Sequence, residues 1–191
     1  GWTTYGVDPA VNICAISKAK GHTVVCDYFN QHVAGSLPRM DVILAQNVFA
    51  HTQYVDDFLQ GCRLLMDQNS VLFIQTSQKH MFRNSEFDTI YHEHLSFFSI
   101  NSMDTLCRRN GLVLKDVGEH HIHGTSYIFE IKLNGEHGDA ITALKDAESY
   151  LYDMAMYKQY TKNVLGTKTG TESAVGEFLR NHPDFALVGY G

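Results

Sequence analysis

DVILAQNVFAHTQYVDDFLQGCRLLMDQNSVLFI, residues 41–74, is the stretch that decides the fold. It opens on Asp41-Val-Ile-Leu-Ala45, a short apolar run ending in polar residues, which has the form of a buried strand. It closes on a second such run, Val71-Leu-Phe-Ile74. Between them Val55, Phe58, Leu59, Cys62, Leu65 and Met66 recur at three- and four-residue steps, the spacing of one helix face. A strand, a crossover helix and a strand form the unit from which parallel sheets are built, so the pattern predicts an α/β fold.

Working toward the N-terminus, Tyr28–Met40 has the composition of a loop, with Gly35-Ser-Leu-Pro38 inside it. His22–Cys26 is predicted to be a strand, and so is Thr3–Val7. Asp8-Pro9 places an N-cap residue before a proline, a good start for a helix running to about Lys20, where Gly21 can end it. Working toward the C-terminus, Thr76–Ser99 is polar and aromatic with no clear period. A helix follows near Ser102–Asn110, closed by Gly111, and then two strands, Leu112–Val117 and Tyr127–Leu133. In the second, Tyr127, Phe129, Ile131 and Leu133 alternate with Ile128, Glu130 and Lys132, so an antiparallel pair is expected at the end of the sheet. Helical spacing predicts a long helix from about Gly138 to Asn163 and another over Thr171–Asn181. The apolar run from Phe185 then leads as a strand into Gly189-Tyr-Gly191.

Composition sets outer limits. With 191 residues, 44% hydrophobic and 19% charged, the chain has enough apolar material for a core, which excludes disorder throughout. The net charge of −6, without a basic run, argues against nucleic acid or an anionic membrane as partner. No apolar run approaches the roughly 20 residues of a membrane span. Cys14, Cys26, Cys62 and Cys107 lie far apart, each in an apolar-periodic segment, and are expected to be buried thiols rather than zinc ligands or disulfides, as suits a cytoplasmic protein.

Chemistry concentrates in Tyr91-His-Glu-His94 and its surroundings. The block follows the strand ending at Ile74, which places it at the carboxyl edge of the sheet, where open α/β sheets bind ligands. A carboxylate beside an imidazole raises its basicity and fixes its tautomer, and a tyrosine hydroxyl can hold an enolate oxygen. Asn47 and His51, four apart after the strand Asp41–Ala45, share a face if the turn is helical; alternatively Asn47 caps and His51 packs on Tyr54. Three readings stay open on the residues alone: a proton-transfer site, a solvated loop with chance histidines, and a metal site joining His92 and His94 to His120, His121 and His123. The last lacks any spacing signature that would fix its geometry. His123-Gly-Thr-Ser126 is otherwise a turn before a strand, and Asp27 a loop cap or a contact to an adenine amino group.

Tyr91-His-Glu-His-Leu-Ser-Phe-Phe-Ser99 resembles the YHEHxSYFS signature of S-adenosylmethionine-dependent sugar C-methyltransferases. Gln46-Asn-Val-Phe-Ala-His51 is similar to that family's NVLAH stretch, His123-Gly-Thr-Ser126 to its HGGS, and Gly189-Tyr-Gly191 to its GYGA. Thr125 stands in place of a glycine, and no arginine follows Ser126 closely. The resemblance implies a class I, Rossmann-like methyltransferase sheet lacking its first strand. Its N-terminal part would span residues 1–135, with 136–191 a helical linker and the start of a second Rossmann-like unit. It further implies that the chain is a fragment, without the family's N-terminal zinc module and glycine-rich turn. Implied too are S-adenosyl-L-methionine as cofactor and methylation of a carbon next to the ketone of a nucleotide-linked keto-sugar. His94 would then be the base, assisted by Glu93, with Tyr91, Asn47, His51 and His123 toward the sugar. Asp8 would hold the cofactor ribose, Asp27 would reach its adenine, and Gln46 would lie beside it. A metal-dependent enzyme and a non-catalytic nucleotide-sugar binding module are the alternatives.

Overall fold

The computed structural model describes residues 1–121, 125–138 and 140–188, with residues 77–79 described by backbone only. They form two compact units: Gly1–Lys79 with Tyr91–Glu148, and His80–Ile90 with the chain from Ser149 onward.

In the first unit, strand β1 (Tyr5–Val7) leads through helix α1 (Val11–Ala19) to β2 (Thr23–Val25), and the two strands pair in parallel, Val7 opposite Val25. The Asp8 carboxylate accepts the Ala10 N–H at 2.8 Å, so α1 begins two residues later than the Asp-Pro pair suggests. Helix α2 (Gln31–Ala34) then interrupts the segment expected to be loop. It is a single turn, made possible by Asn30, whose side chain accepts the Val33 N–H at 2.9 Å.

Strand β3 (Val42–Gln46), helix α3 (Val55–Leu65) and strand β4 (Val71–Lys79) are the crossover unit on which the sequence reading was built, with β3 and β4 parallel. Phe58, Leu59, Cys62, Leu65 and Met66 are all buried, and Val55 packs at their margin. Helix α5 (Ile100–Arg109) carries a capping box in which Ser99 and Ser102 bond each other's backbone N–H. Gly111 ends it at φ +67°, a conformation glycine adopts without penalty. Strands β5 (Val113–His120) and β6 (Thr125–Lys132) pair antiparallel, and β6 also pairs antiparallel with β4, giving the order β3-β4-β6-β5. Helix α6 (Ala140–Ala147) closes the unit. At its end Glu148 is buried, accepting the Ile100 N–H at 2.7 Å and the Tyr127 hydroxyl at 2.7 Å.

The core lies under the four-stranded sheet, where Leu72, Ile74, Phe129 and Ile131 meet Phe49, Leu59, Cys62, Met103 and Cys107. Among the described residues β1 and β2 form a separate two-stranded sheet, and no strand joins β1 to β3. One expectation is corrected here: β3 is not a buried strand. Leu44 is 64% exposed and Val42 also faces out: they share the face opposite the core residue Ala45, and among the described residues β3 has a strand neighbour on one side only.

In the second unit, helix α4 (Met81–Asn84) meets α7 (Met154–Asn181). The Phe82 ring packs edge-on against Tyr157 and Tyr160, and the Tyr160 hydroxyl donates to the Glu86 carbonyl at 3.2 Å. The two predicted helices of this region are divided differently. A 3₁₀ turn at Ser149–Tyr152 separates α6 from α7, and α7 runs unbroken through Gly166 and Gly170 to Asn181. Asp153 sets the break, because its side chain accepts the Ala155 N–H at 2.8 Å and starts a new helix. Residues 185–188 are not strand. The expected turn at Gly189-Tyr-Gly191 lies outside the described residues.

Candidate active site

The site is built where β3 ends. Asn47, the next residue, takes the left-handed conformation at φ +51°, which asparagine tolerates better than most side chains. Its N–H donates to the Gln75 carbonyl at 3.3 Å, carrying the β3–β4 pairing one step past the strand. The chain then folds into a 3₁₀ turn, Phe49–His51, anchored by the fully buried Phe49 ring against Phe58 and Phe98.

That turn grips the tyrosine–histidine block. The Ala50 carbonyl accepts two N–H groups, from Leu95 at 2.9 Å and Ser96 at 3.2 Å. The His51 Nδ1 lies 2.9 Å from the Glu93 carbonyl oxygen. A carbonyl can only accept, so Nδ1 carries a proton, and the lone pair of the neutral form of the ring is the one at Nε2. These bonds bring the His51 and His94 rings to 4.8 Å between centroids, and the His94 and Tyr91 rings to 4.4 Å. The Tyr91 hydroxyl lies 3.4 Å from the His94 Nε2. Phe97 stands edge-on to His94 at 6.0 Å.

Of the residues expected here, His51, Tyr91 and His94 are therefore gathered, and Asn47 lies at the head of the same turn. His51 packs on His94 rather than on Tyr54. Glu93 joins through its backbone, while its carboxylate points into solvent 4.0 Å from the His92 Nε2. His123 lies outside the described residues. Asp8 and Asp27 follow neighbouring strands of the smaller sheet; Asp27 accepts the Tyr28 N–H at 2.7 Å. Gln46 is at the carboxyl end of β3, in the other sheet. All three thus sit at carboxyl ends of parallel strands, on two separate sheets. Two carboxylates and an amide are a suitable set for ribose hydroxyls and an adenine amino group.

The sequence reading missed two parts of this arrangement. One is the Ala50 carbonyl, a backbone group that leaves no mark on residue type. The other is Glu148, whose place just after a helix of ordinary composition gives no sign that it reaches residue 100. Among the described residues no group of three His, Cys, Asp or Glu side chains is disposed to hold a metal ion. No helix among them is long and apolar enough to cross a membrane.

A family model described as a methyltransferase domain matches residues 1–117. The C-methyltransferase NovU of Streptomyces niveus is 29% identical over 128 residues, which make up 64% of this chain and 30% of NovU. The chain thus matches less than a third of that relative's length. Two solved structures share the fold. One, from Thermotoga maritima, is a SAM-dependent methyltransferase described as a possible histamine N-methyltransferase. It has 14% identity and a TM-score of 0.51 over 69% of this chain and 73% of that one. The other is the magnesium protoporphyrin IX methyltransferase of Synechocystis PCC 6803 with bound SAH. It has 13% identity and a TM-score of 0.53, over 70% and 65%.

Proposed function

We propose a C-methyltransferase reading from one premise: this chain belongs to the methyltransferase domain family, whose model covers residues 1–117. The fold is the Rossmann-like class I fold, and S-adenosyl-L-methionine is the expected cofactor. The proposed substrate is a nucleotide-linked keto-sugar, methylated at a carbon next to its ketone. The similarity to NovU supports carbon as the methylated atom. The sugar rests on the tyrosine–histidine block and its neighbours.

The observation that carries the reading is the His51–His94–Tyr91 cluster at the carboxyl end of β3. Carbon is a poor nucleophile until a proton next to the ketone is removed, so the protein must supply a base and a group to hold the resulting oxyanion. His94 takes that proton in the proposed mechanism, and the electron pair moves onto the ketone oxygen. The Tyr91 hydroxyl steadies the oxyanion. His51, its Nδ1 committed to the Glu93 carbonyl, accepts a sugar hydroxyl at Nε2. Asn47 and His123 are proposed as further sugar contacts. Glu93 assists by its charge and by the carbonyl that orients His51. Asp8 would hold the cofactor ribose, with Asp27 and Gln46 beside the adenine; the bound cofactor supplies an electrophilic methyl group. The methyltransferase part is proposed to span 1–135, and the chain is proposed to work in the cytoplasm.

Proton removal can be tested apart from methyl transfer. A nucleotide-linked keto-sugar incubated with the protein in heavy water should exchange the proton next to its ketone, followed by NMR. His94→Ala should slow that exchange about 10²–10⁴-fold, the usual contribution of a general base. Exchange in His94→Ala at the rate of the unsubstituted protein would remove the assignment. Sugar binding without exchange in either protein would favour the binding-module alternative.

A further inference from the structure

Of the two thiols expected to be buried near the N-terminus, Cys14 is and Cys26 is not. Cys14 is buried in α1, but Cys26, just beyond β2, is exposed. Their sulfurs converge on one turn. The Cys14 thiol donates to the Asp8 carbonyl at 3.0 Å, and the Cys26 Sγ lies 4.0 Å from the carbonyl of the next residue, Pro9. Asp8 and Pro9 are consecutive, so the two sulfurs lie at adjacent carbonyls of the same turn. The remaining cysteines, Cys62 and Cys107, are fully buried in the core, and burial pushes both thiols up, Cys107 to about 12.

We propose that Cys14 and Cys26 form an oxidisable dithiol, a modification site at which a small-molecule disulfide installs a Cys14–Cys26 bond. The order of events follows from exposure. Cys26 meets solvent, whereas Cys14 is covered and its thiol is held up at about 11, first by the neighbouring Cys26 thiol and then by burial. The Cys26 thiolate attacks one sulfur of the small disulfide, whose S–S bond breaks and releases one thiol. The Cys14 sulfur then attacks Cys26 in the mixed disulfide, its proton leaving with the second released thiol. Two protein thiols are oxidised and one small disulfide is reduced to two thiols, so electrons and protons balance. The new bond ties α1 to the end of β2, across the turn that carries Asp8.

Oxidised glutathione is the probe. The chain is incubated with it under native conditions, quenched in acid, and examined by intact-mass and peptide mass spectrometry. The expected product has lost two hydrogens and retains no glutathione. Digestion after Lys18 and Lys20 should leave the Cys14 and Cys26 peptides linked, and dithiothreitol should separate them. Cys14→Ser should stop with one glutathione on residue 26, and Cys26→Ser should leave the mass unchanged. Glutathione retained on Cys26 of the unsubstituted chain, a disulfide involving Cys62 or Cys107, or an unreacted chain would each overturn the proposal.

Discussion

The two sheets of the first unit are made of similar strands and are covered very differently. In the four-stranded sheet Leu72, Ile74, Phe129 and Ile131 are wholly buried between α3, α5 and their neighbours. In the β1–α1–β2 segment Cys14 is the one fully buried hydrophobic residue, while Val11, Ile13 and Ile16 of α1 face out. Among the described residues both β1 and β3 have a strand neighbour on one edge only. An apolar periodicity states that a face should be covered, but it does not name the cover. The same kind of run, Asp41–Ala45 or Val71–Ile74, ends up exposed on one strand and buried on the next.

The contrast can be broken most directly in the core. Phe129→Ala should cost about 3–5 kcal/mol in urea unfolding, because a fully buried ring leaves a cavity its neighbours cannot fill. Next is the buried carboxylate: Glu148→Ala removes the acceptor of the Ile100 N–H and of the Tyr127 hydroxyl, at about 1–3 kcal/mol for a buried group left unsatisfied. If Phe129→Ala or Glu148→Ala proved neutral, the better-covered sheet would not be where stability resides.

The well-covered region also holds an ion cluster around one buried carboxylate, which a pH profile reads. Asp104 on α5 meets Arg108 at 3.0 Å and His137 at 3.3 Å, and it also pairs with Lys145 on α6. Burial alone would push its carboxyl up, but bonds from Lys145 and Arg108 outweigh it and hold the group below its ordinary 3.8. A carboxylate depressed in the folded state stabilises above its ordinary value, and that stability is lost as pH falls through the folded value. Asp104→Asn should therefore be less stable at neutral pH and lose less on acidification below about pH 4. An unchanged acid limb would show that the cluster is not what titrates. The smallest effect belongs to the other region: Ile13→Ala, on the open face of α1, should change stability by no more than about 0.5 kcal/mol. A loss of several times that would mean this face is covered in solution.

Elements with strong local signals were legible. The α3 face, the alternation along β6 and the glycine ends at Gly21 and Gly111 are all as the residues predict. What failed lacked a local signal. Helix α2 is one turn, too short to show a period, and the division of α6 from α7 depends on a single cap at Asp153. At the candidate site residue types pointed to Tyr91, His94 and His51. The bonds that gather them run through carbonyls of Ala50 and Glu93, which every residue possesses.

The fastening of the Tyr91–Ile100 segment has an entropic consequence. It is held to the 3₁₀ turn through Glu93, Leu95 and Ser96, and at residue 100 by Glu148. Fixing one residue's backbone costs about 1–2 kcal/mol of conformational entropy, and here folding has already met that cost before any ligand arrives. A ligand entering this site would meet a surface set in advance, so little of its contact energy would be spent on ordering the loop.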